Sequence, residues 1–248
     1  MDPALERQLL AAEEDHYWFR ARRRIVDDVL RALPLPPEPA LLDAGCGGGR
    51  SLIDLARIGS VSAIEPSAPS YEKAQDRGIG QVLRARIEEM PFPDESFDVV
   101  TCLDVIEHVQ DDAAGLATLR RVTRPGGFLV VTVPAYDWLW SEHDRVNHHY
   151  RRYDRRSLER VATGAGWTPQ RWSYFNSLLL PAAAAYRGLE RLGVRRLSRT
   201  SKRVLTATPR WLDRALGVPL AIEARLMRAG VRIPAGLSLL AVFQVPGR

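Results

Sequence analysis

Residues 41–50 read LLDAGCGGGR, and the rest of the chain is organised around this stretch. A short apolar run ends at Asp43 and breaks into a glycine-dense turn, and a helical pattern follows over residues 51–58. The pattern predicts a strand, a tight loop and the start of a helix, where bare backbone amides let a ligand approach closely. We therefore expect the main binding site at this loop.

The chain beyond the loop alternates between apolar runs and helical patterns. This alternation predicts an α/β fold, in which a doubly wound parallel sheet carries helices on both faces and binds ligands at the C-terminal ends of its strands. Further strands are predicted at residues 61–64, 81–83, 97–103, 128–133, 167–175 and 237–245, and helices at residues 67–77, 112–123 and 157–165.

The chain of 248 residues, 46% of them hydrophobic, is long enough for one α/β domain with an appendage. Its two cysteines lie in stretches that are predicted to be buried and indicate neither a disulfide framework nor a metal cluster, so a reducing, cytoplasmic setting fits best. The N-terminus lacks the apolar core of a signal peptide, and no stretch approaches the ~20 apolar residues that span a bilayer.

Charge is distributed unevenly behind a net charge of +5. Residues 1–150 hold 25 acidic and 16 basic side chains, whereas residues 151–248 hold 5 and 19. Such an asymmetry often indicates attraction to an anionic partner. An arginine-rich overall composition explains the same numbers, and the sequence leaves both explanations open.

The spacing of the glycines distinguishes between nucleotide ligands. A dinucleotide-binding fingerprint needs a small residue where this chain has Arg50, and no Gly-Lys-Ser/Thr follows as a phosphate-binding P-loop requires. Glu65 ends the next predicted strand, about 20 residues further on, where a carboxylate can accept two ribose hydroxyls.

Five segments in order carry a family resemblance: DAGCGGG, Glu65, EEMPFPDESFDVV, CLDVIEHV and RPGG. Together they resemble the class I S-adenosylmethionine-dependent methyltransferase family. The resemblance implies a Rossmann-like, seven-stranded sheet whose last strand is antiparallel and inserted between the fifth and sixth. It also implies S-adenosylmethionine as the cofactor and S-adenosylhomocysteine as the product.

The resemblance places cofactor contacts at the motif residues. It implies that the methionine part lies against the glycine loop, the ribose at the second strand, the adenine at the loop after the third, and the sulfonium at the end of the fourth. Arg86 departs from the family, which commonly carries an aspartate there for the adenine amino group. Asp43, Gly45 and Gly47 are the expected contacts of the methionine part, and Glu65 is that of the ribose. Ile87 and Glu88 are expected at the adenine, and Leu103 and Asp104 at the sulfonium.

The spacing of Asp104, Glu107 and His108 resembles a metal site of some quinone-pathway and RNA methyltransferases. The same spacing is common in relatives without a metal, where the glutamate and histidine orient a loop. We therefore expect no metal, and group His108 with the cofactor contacts.

The N-terminal segment HYWFRARRR begins an amphipathic helix with an aromatic cluster. Together with the segment after the fifth strand, it resembles a bacterial branch of the family whose substrate is often unassigned. That branch implies a lid folded over the cofactor, with Tyr17, Trp18 and Arg22 as candidate contacts. Simple packing of the helix onto the domain is the alternative.

Residues 134–154 form a long polar connection that is rich in aromatic residues and histidine. A loop of this length in a compact domain is usually functional, and the resemblance implies that it faces the transferable methyl group. A hydroxyl or amine acceptor needs a base such as His143 or His149, whereas Arg152 could clamp a carboxylate acceptor. A purely structural network is the alternative. The candidate acceptor residues are His143, Asp144, His149, Arg152 and Tyr153.

Residues 176–236 are predicted as helices with apolar faces and arginine borders. Such helices contact a membrane or a long hydrophobic substrate, or they form a structural cap or a homodimer interface. No RNA-binding module is evident, so nucleic acid is not an expected partner. The predicted organisation is a lid helix and linker (1–39), a methyltransferase core (40–175), a helical cap (176–236) and a last core strand (237–248).

We expect methyl transfer from S-adenosylmethionine to a small or amphiphilic molecule, at oxygen, in a natural-product or lipid/glycan pathway. Methylation of a carboxylate on a peptide or acid is the alternative within enzymes. A cofactor-binding regulatory protein without turnover is the alternative outside them.

Overall fold

The computed structural model describes residues 3–191 and 209–247. Its strands are β1 (Ala40–Ala44), β2 (Ser60–Ile64), β3 (Gln81–Leu83), β4 (Phe97–Leu103), β5 (Thr123–Pro134), β6 (Thr168–Phe175) and β7 (Ser238–Gln244). Its helices are α1 (Pro3–Asp15), α2 (Tyr17–Arg31), α3 (Arg50–Leu55), α4 (Ala68–Gln75), α5 (Asp112–Val122), α6 (Glu142–Val146), α7 (Arg155–Gly164), α8 (Leu180–Arg191) and α9 (Arg210–Arg228).

The seven strands form one sheet in the order β3-β2-β1-β4-β5-β7-β6. Strands β1 to β5 pair in parallel, and β7 runs antiparallel to both of its neighbours, β5 and β6. The prediction of a Rossmann-like sheet with an inserted antiparallel last strand is therefore confirmed. The C-terminal ends of β1, β2 and β4 lie side by side and position the site.

Helices cover both faces of the sheet, because successive strand residues alternate between two apolar cores. Leu41 and Val99 belong to one core, to which α2, α3 and α9 contribute. Leu42 and Val100 belong to the other, to which α5 and α7 contribute. The sheet is thus buried between two helical layers.

The N-terminal part contains two helices, where the sequence predicts one beginning at Asp15. Helix α1 precedes it, and His16 separates the two in an extended conformation, its ring accepting a hydrogen bond from the Trp18 amide at 3.4 Å. The sequence of α1 is charged and lacks the apolar periodicity that predicts a helix. Mostly polar contacts hold α1 against the rest of the protein.

The segment after β6 is described at residues 176–191 and 209–236, and the rest of the predicted cap, residues 192–208, lies outside the described residues. Helix α9 packs along α2 and buries Leu220, Ala224 and Met227 in the same core as Ile25. One face of α9 is therefore part of the main helical layer.

We expect Leu240→Ala to lower the free energy of unfolding by about 2–5 kcal/mol, because it opens a cavity in the core beside β7, the strand that lies between β5 and β6. Leu240 is fully buried, whereas Leu178 is 60% exposed. Leu178→Ala is the matched control and should change stability by less than about 0.5 kcal/mol. Urea unfolding followed by circular dichroism measures both; equal effects would contradict the topology.

Candidate active site

The glycine loop after β1 adopts positive φ angles, which residues with a Cβ atom rarely adopt. Gly45 and Gly47 have φ angles of +88° and +57°. A Cβ atom on Gly45 would lie 2.6 Å from Val105 Cγ2, and one on Gly47 would lie 3.3 Å from a Glu13 carboxylate oxygen. Both glycines line a cavity, so their missing side chains leave the backbone open to a ligand.

Asp43 lies behind this loop and does not line the cavity. Its carboxylate is buried and accepts hydrogen bonds from Ser51 Oγ at 2.5 Å and Thr101 Oγ1 at 2.7 Å. Burial raises its pKa above the usual range. Both of its oxygens are used inside the protein, so Asp43 supports the loop from within.

Glu65 directly follows β2 and faces the cavity beside the loop. Its two carboxylate oxygens accept hydrogen bonds from the amides of Gly47 and Ser67, each at 2.9 Å. Burial raises its pKa to about 7. A carboxylate in this position has lone pairs left for two vicinal hydroxyls.

A single cavity of about 960 Å³ connects the glycine loop to the long connection after β5. Its size suits a nucleoside-type cofactor together with an acceptor. The structure therefore brings both halves of the predicted site together. The predicted residues along its wall are Tyr17, Trp18, Arg22, Gly45, Gly47, Glu65, Ile87, Glu88, Leu103, Asp104, His108, His143, His149 and Arg152. Arg86 lines it as well.

Arg22 reaches from α2 to the end of β4. Its Nη1 donates to Asp104 Oδ2 at 2.6 Å and to the Leu103 carbonyl at 3.2 Å, and its guanidinium stacks against Trp18 and Phe19. Its Nε is buried and has no hydrogen-bond partner among residues 3–191 and 209–247. The Arg22 side chain lines the cavity, and its positive charge there suits an anionic group of a ligand.

Helix α1 adds two carboxylates that the sequence analysis missed. Glu13 accepts a hydrogen bond from the Gly48 amide at 3.1 Å, and burial raises its pKa. Glu6 accepts one from Ser70 Oγ at 2.7 Å. Both line the cavity, seven residues apart on one helix face. The seven-residue spacing of Glu6 and Glu13 is the sequence feature that could have indicated a helix with both carboxylates on one face. Helix α1 closes the cavity above the glycine loop.

Asp144 organises the end of the cavity that is lined by the connection after β5. This fully buried carboxylate receives Arg152 Nε at 2.8 Å, Arg152 Nη2 at 3.0 Å, His149 Nδ1 at 2.9 Å, and the amide and hydroxyl of Ser141 at 2.8 Å each. Burial alone would raise its pKa, but the hydrogen bonds from His149, Arg152 and Ser141 hold that pKa well below the usual range. Asp144 is therefore a permanent anion that orients its neighbours.

Three histidine rings meet in this part of the cavity. The His149 ring centroid lies 4.6 Å from that of His108 and 6.2 Å from that of His143. Burial lowers the pKa of His108 and of His143 to about 4 each, so both rings are neutral at pH 7. When Nδ1 of His149 donates to Asp144, its Nε2 is left as the acceptor.

Two predicted acceptor residues are differently placed. Tyr153 does not line the cavity: its ring is buried in the core, and its hydroxyl donates to Asp112 Oδ2 at 2.8 Å. Arg152 lines the cavity, but its guanidinium is held by Asp144 on one side and by the Ala135 carbonyl, at 3.2 Å, on the other. Tyr153 therefore holds the loop to the core, and Arg152 has little capacity left to clamp a second carboxylate.

Glu107, His108 and His149 offer ligand atoms that lie within 4.8 Å of one another. Burial and the neighbouring Asp104 carboxylate raise the pKa of Glu107 well above the usual range, and Glu107 Oε2 is buried without a hydrogen-bond partner. Two imidazoles and a carboxylate suit a divalent transition metal. The expectation that the site works without a metal stays a prediction.

Several proteins with a similar sequence are methyltransferases. The family model described as "Methyltransferase domain" matches residues 42–131. Demethylmenaquinone methyltransferase of Mycobacterium marinum is 31% identical over 175 residues, which cover 68% of this chain and 69% of that protein. The 27-O-demethylrifamycin SV methyltransferase of Amycolatopsis mediterranei is 35% identical over 130 residues, and the matched part covers 46% of this chain and 48% of that enzyme.

The fold also matches solved structures. The crystal structure of a methyltransferase candidate from Bacillus halodurans superposes with a TM-score of 0.60 at 18% identity, over 90% of this chain and 98% of that one. The glycine loop, the sheet order and these relatives together define a class I methyltransferase fold. The chain belongs to the S-adenosylmethionine-dependent methyltransferase family, which confirms the resemblance read from its motifs.

We expect Asp144→Ala to destabilise the protein by about 3–5 kcal/mol at pH 7, because it leaves the guanidinium of Arg152 buried without a counter-charge. The pKa of Asp144 is lowered in the folded state, so its contribution is present above the ordinary aspartate pKa and is lost as the pH falls through about 4 and below. The difference between wild type and variant should therefore shrink in acid.

Urea unfolding between pH 7 and pH 3 measures this difference. Glu142→Ala is the matched control on the same helix, because within the described part of the chain Glu142 forms an ion pair only with exposed Arg145. It should change stability by less than about 1 kcal/mol. A pH-independent effect of Asp144→Ala would show that charge pairing is not its cause.

Proposed function

We propose that this protein transfers a methyl group from S-adenosylmethionine to an oxygen atom of a small or amphiphilic molecule. One observation carries the proposal: a histidine held by a buried carboxylate lines the same cavity as the family's glycine loop. The chain spans about half the length of the rifamycin relative, whose name specifies an O-demethyl substrate, and that name supports oxygen as the acceptor atom.

The residues present fit the cofactor. The bare backbone of Gly45 and Gly47 leaves a cradle that a Cβ would fill, and the positive charge of Arg22 in the cavity wall suits the methionine carboxylate. Glu65 would hold the ribose hydroxyls, and residues 86–88 would flank the adenine. When bound, the cofactor supplies a methyl group on a positively charged sulfur. Tyr17 and Trp18 would exclude water from that carbon.

His149 would act on the acceptor. Its Nδ1–H donates to Asp144, which fixes the ring, and its Nε2 would accept the proton that a hydroxyl loses as the oxygen attacks the methyl carbon. Asp144 would stabilise the imidazolium that forms. The occupied guanidinium of Arg152 gives less support to the alternative of carboxylate methylation, which would need a free cationic clamp.

We expect the affinity for S-adenosylhomocysteine to rise as the pH increases through about 7, because the ionised Glu65 carboxylate is the stronger acceptor for the ribose hydroxyls. Protonation below this pH removes that advantage. Glu65→Gln should bind about tenfold more weakly at pH 8 and should lose the pH dependence. Isothermal titration calorimetry between pH 6 and pH 8.5 measures both; an unchanged profile would contradict the ribose assignment.

We expect His149→Gln to lower kcat by about 10²–10⁴-fold, because it removes the base. His143→Gln is the comparison, since His143 lines the same cavity but its ring is hydrogen-bonded to Asn147 and to no carboxylate of the described residues, and it should cost less than about tenfold. The assay follows release of S-adenosylhomocysteine with a hydroxyl acceptor found by screening. Equal losses, or an unchanged kcat in His149→Gln, would remove His149 from the proposed chemistry.

A further inference from the structure

Helix α9 has two apolar faces, of which only one is used inside the protein. Leu220 and Met227 are buried against α2. On the opposite side, Trp211, Val218 and Ile222 are 70%, 60% and 50% exposed. Their spacing, continued by Leu226, places them on one side of the helix. The outer face of α9 is therefore a continuous apolar stripe in contact with solvent.

Arginines border this stripe. Arg214 and Arg225 are exposed beside it and have no ion-pair partner among residues 3–191 and 209–247. Arg228 is also exposed and lies only loosely paired, 3.5 Å from Asp28. Helix α9 itself carries four arginines and two acidic residues, and both acids accept hydrogen bonds on its inner side, Asp213 from the Tyr17 amide and Glu223 from the Asn176 amide, so the outward-facing charge of the helix is positive. Apolar side chains between unpaired arginines are typical of helices that lie in a membrane interface.

We propose that the outer face of α9 docks onto an anionic lipid bilayer. In this arrangement the stripe enters the boundary between headgroups and acyl chains, and the arginines contact lipid phosphates. Charge decides between this partner and a second copy of the chain, because two-fold pairing would bring like-charged arginine borders together. In the described part of the chain, no helix has the length and apolar character to cross a bilayer, so the contact is peripheral.

The inner side of α9 connects the docking face to the cavity. Asp213 accepts a hydrogen bond from the Tyr17 amide at 2.7 Å, and Glu223 accepts one from the Asn176 amide at 2.5 Å. Tyr17 and Asn176 both line the cavity. Docking would therefore hold two parts of the cavity wall next to the lipid surface. The docking itself does not depend on the proposed methyl transfer.

Co-sedimentation of the full chain with vesicles tests the proposal. We expect binding to vesicles of equal parts phosphatidylcholine and phosphatidylglycerol, weaker binding at high salt, and little binding to phosphatidylcholine alone. The double variant Val218→Ser with Ile222→Ser should reduce partitioning about tenfold or more, because it removes the apolar anchor. The double variant Arg214→Glu with Arg225→Glu should reduce it by a similar factor.

The matched control is Arg156→Glu with Arg160→Glu. These exposed arginines lie on α7, which covers the other face of the sheet, and the same change in net charge there should leave most of the binding intact. An equal loss in this control, or no binding of the wild type to the anionic vesicles, would overturn the proposal. So would sedimentation that shows a dimer dissociated by Val218→Ser with Ile222→Ser while vesicle binding is unchanged.

A second measurement needs no disruptive variant. Tryptophan emission of the wild type should shift to shorter wavelength on adding anionic vesicles, because Trp211 leaves water. Trp211→Phe keeps an aromatic ring at this exposed position and should abolish most of the shift. A shift of undiminished size in Trp211→Phe would place the contact elsewhere.

Discussion

The site depends on the hydrogen bonds that the backbone amides of the glycine loop donate. The loop turns with positive φ angles, and two of its N–H groups donate to carboxylates outside the loop. The Gly47 amide donates to Glu65, after β2, and the Gly48 amide donates to Glu13, on α1. Asp43 lies behind the same loop. Burial raises the pKa of all three carboxyl groups, because it disfavours their charged forms. A cationic ligand in the cavity would favour the ionised forms of Glu13 and Glu65, which suits a sulfonium cofactor.

Much of the fold could be predicted because its signals are local. The parallel strands are short apolar runs bounded by glycine, proline or acidic residues, and each could be recognised without knowing its neighbours. The position of β7 between β5 and β6 could not be worked out from periodicity; it came with the family resemblance, and the structure confirms it. Helix α1 escaped prediction because polar groups hold it in place, such as Glu6 on Ser70, and such contacts leave no hydrophobic pattern in the sequence.

In the candidate site too, some residues could be placed from the sequence and others could not. Residues that belong to a motif, such as Gly45 and Glu65, have their direction set by the strand that precedes them, and they face the cavity. In the connection after β5, the residue types indicated a polar network, but not which members face inward. That depends on distant partners: Asp112 turns the hydroxyl of Tyr153 into the core, and Asp144 gathers His149 and Arg152. Long-range pairing of this kind is invisible in the order of residues alone.

The place of β7 has a consequence for the order in which the protein folds. Strand β6 is joined to the sheet only through β7, which also covers the free edge of β5 and follows both strands by more than 60 residues along the chain. Until β7 arrives, β5 has an open edge and β6 has no strand to pair with. Closing such long loops is slow, and exposed strand edges favour aggregation. The connection over residues 134–154 lies between β5 and β6, so the half of the cavity that we propose to bind the acceptor depends on the pairing of the last strand.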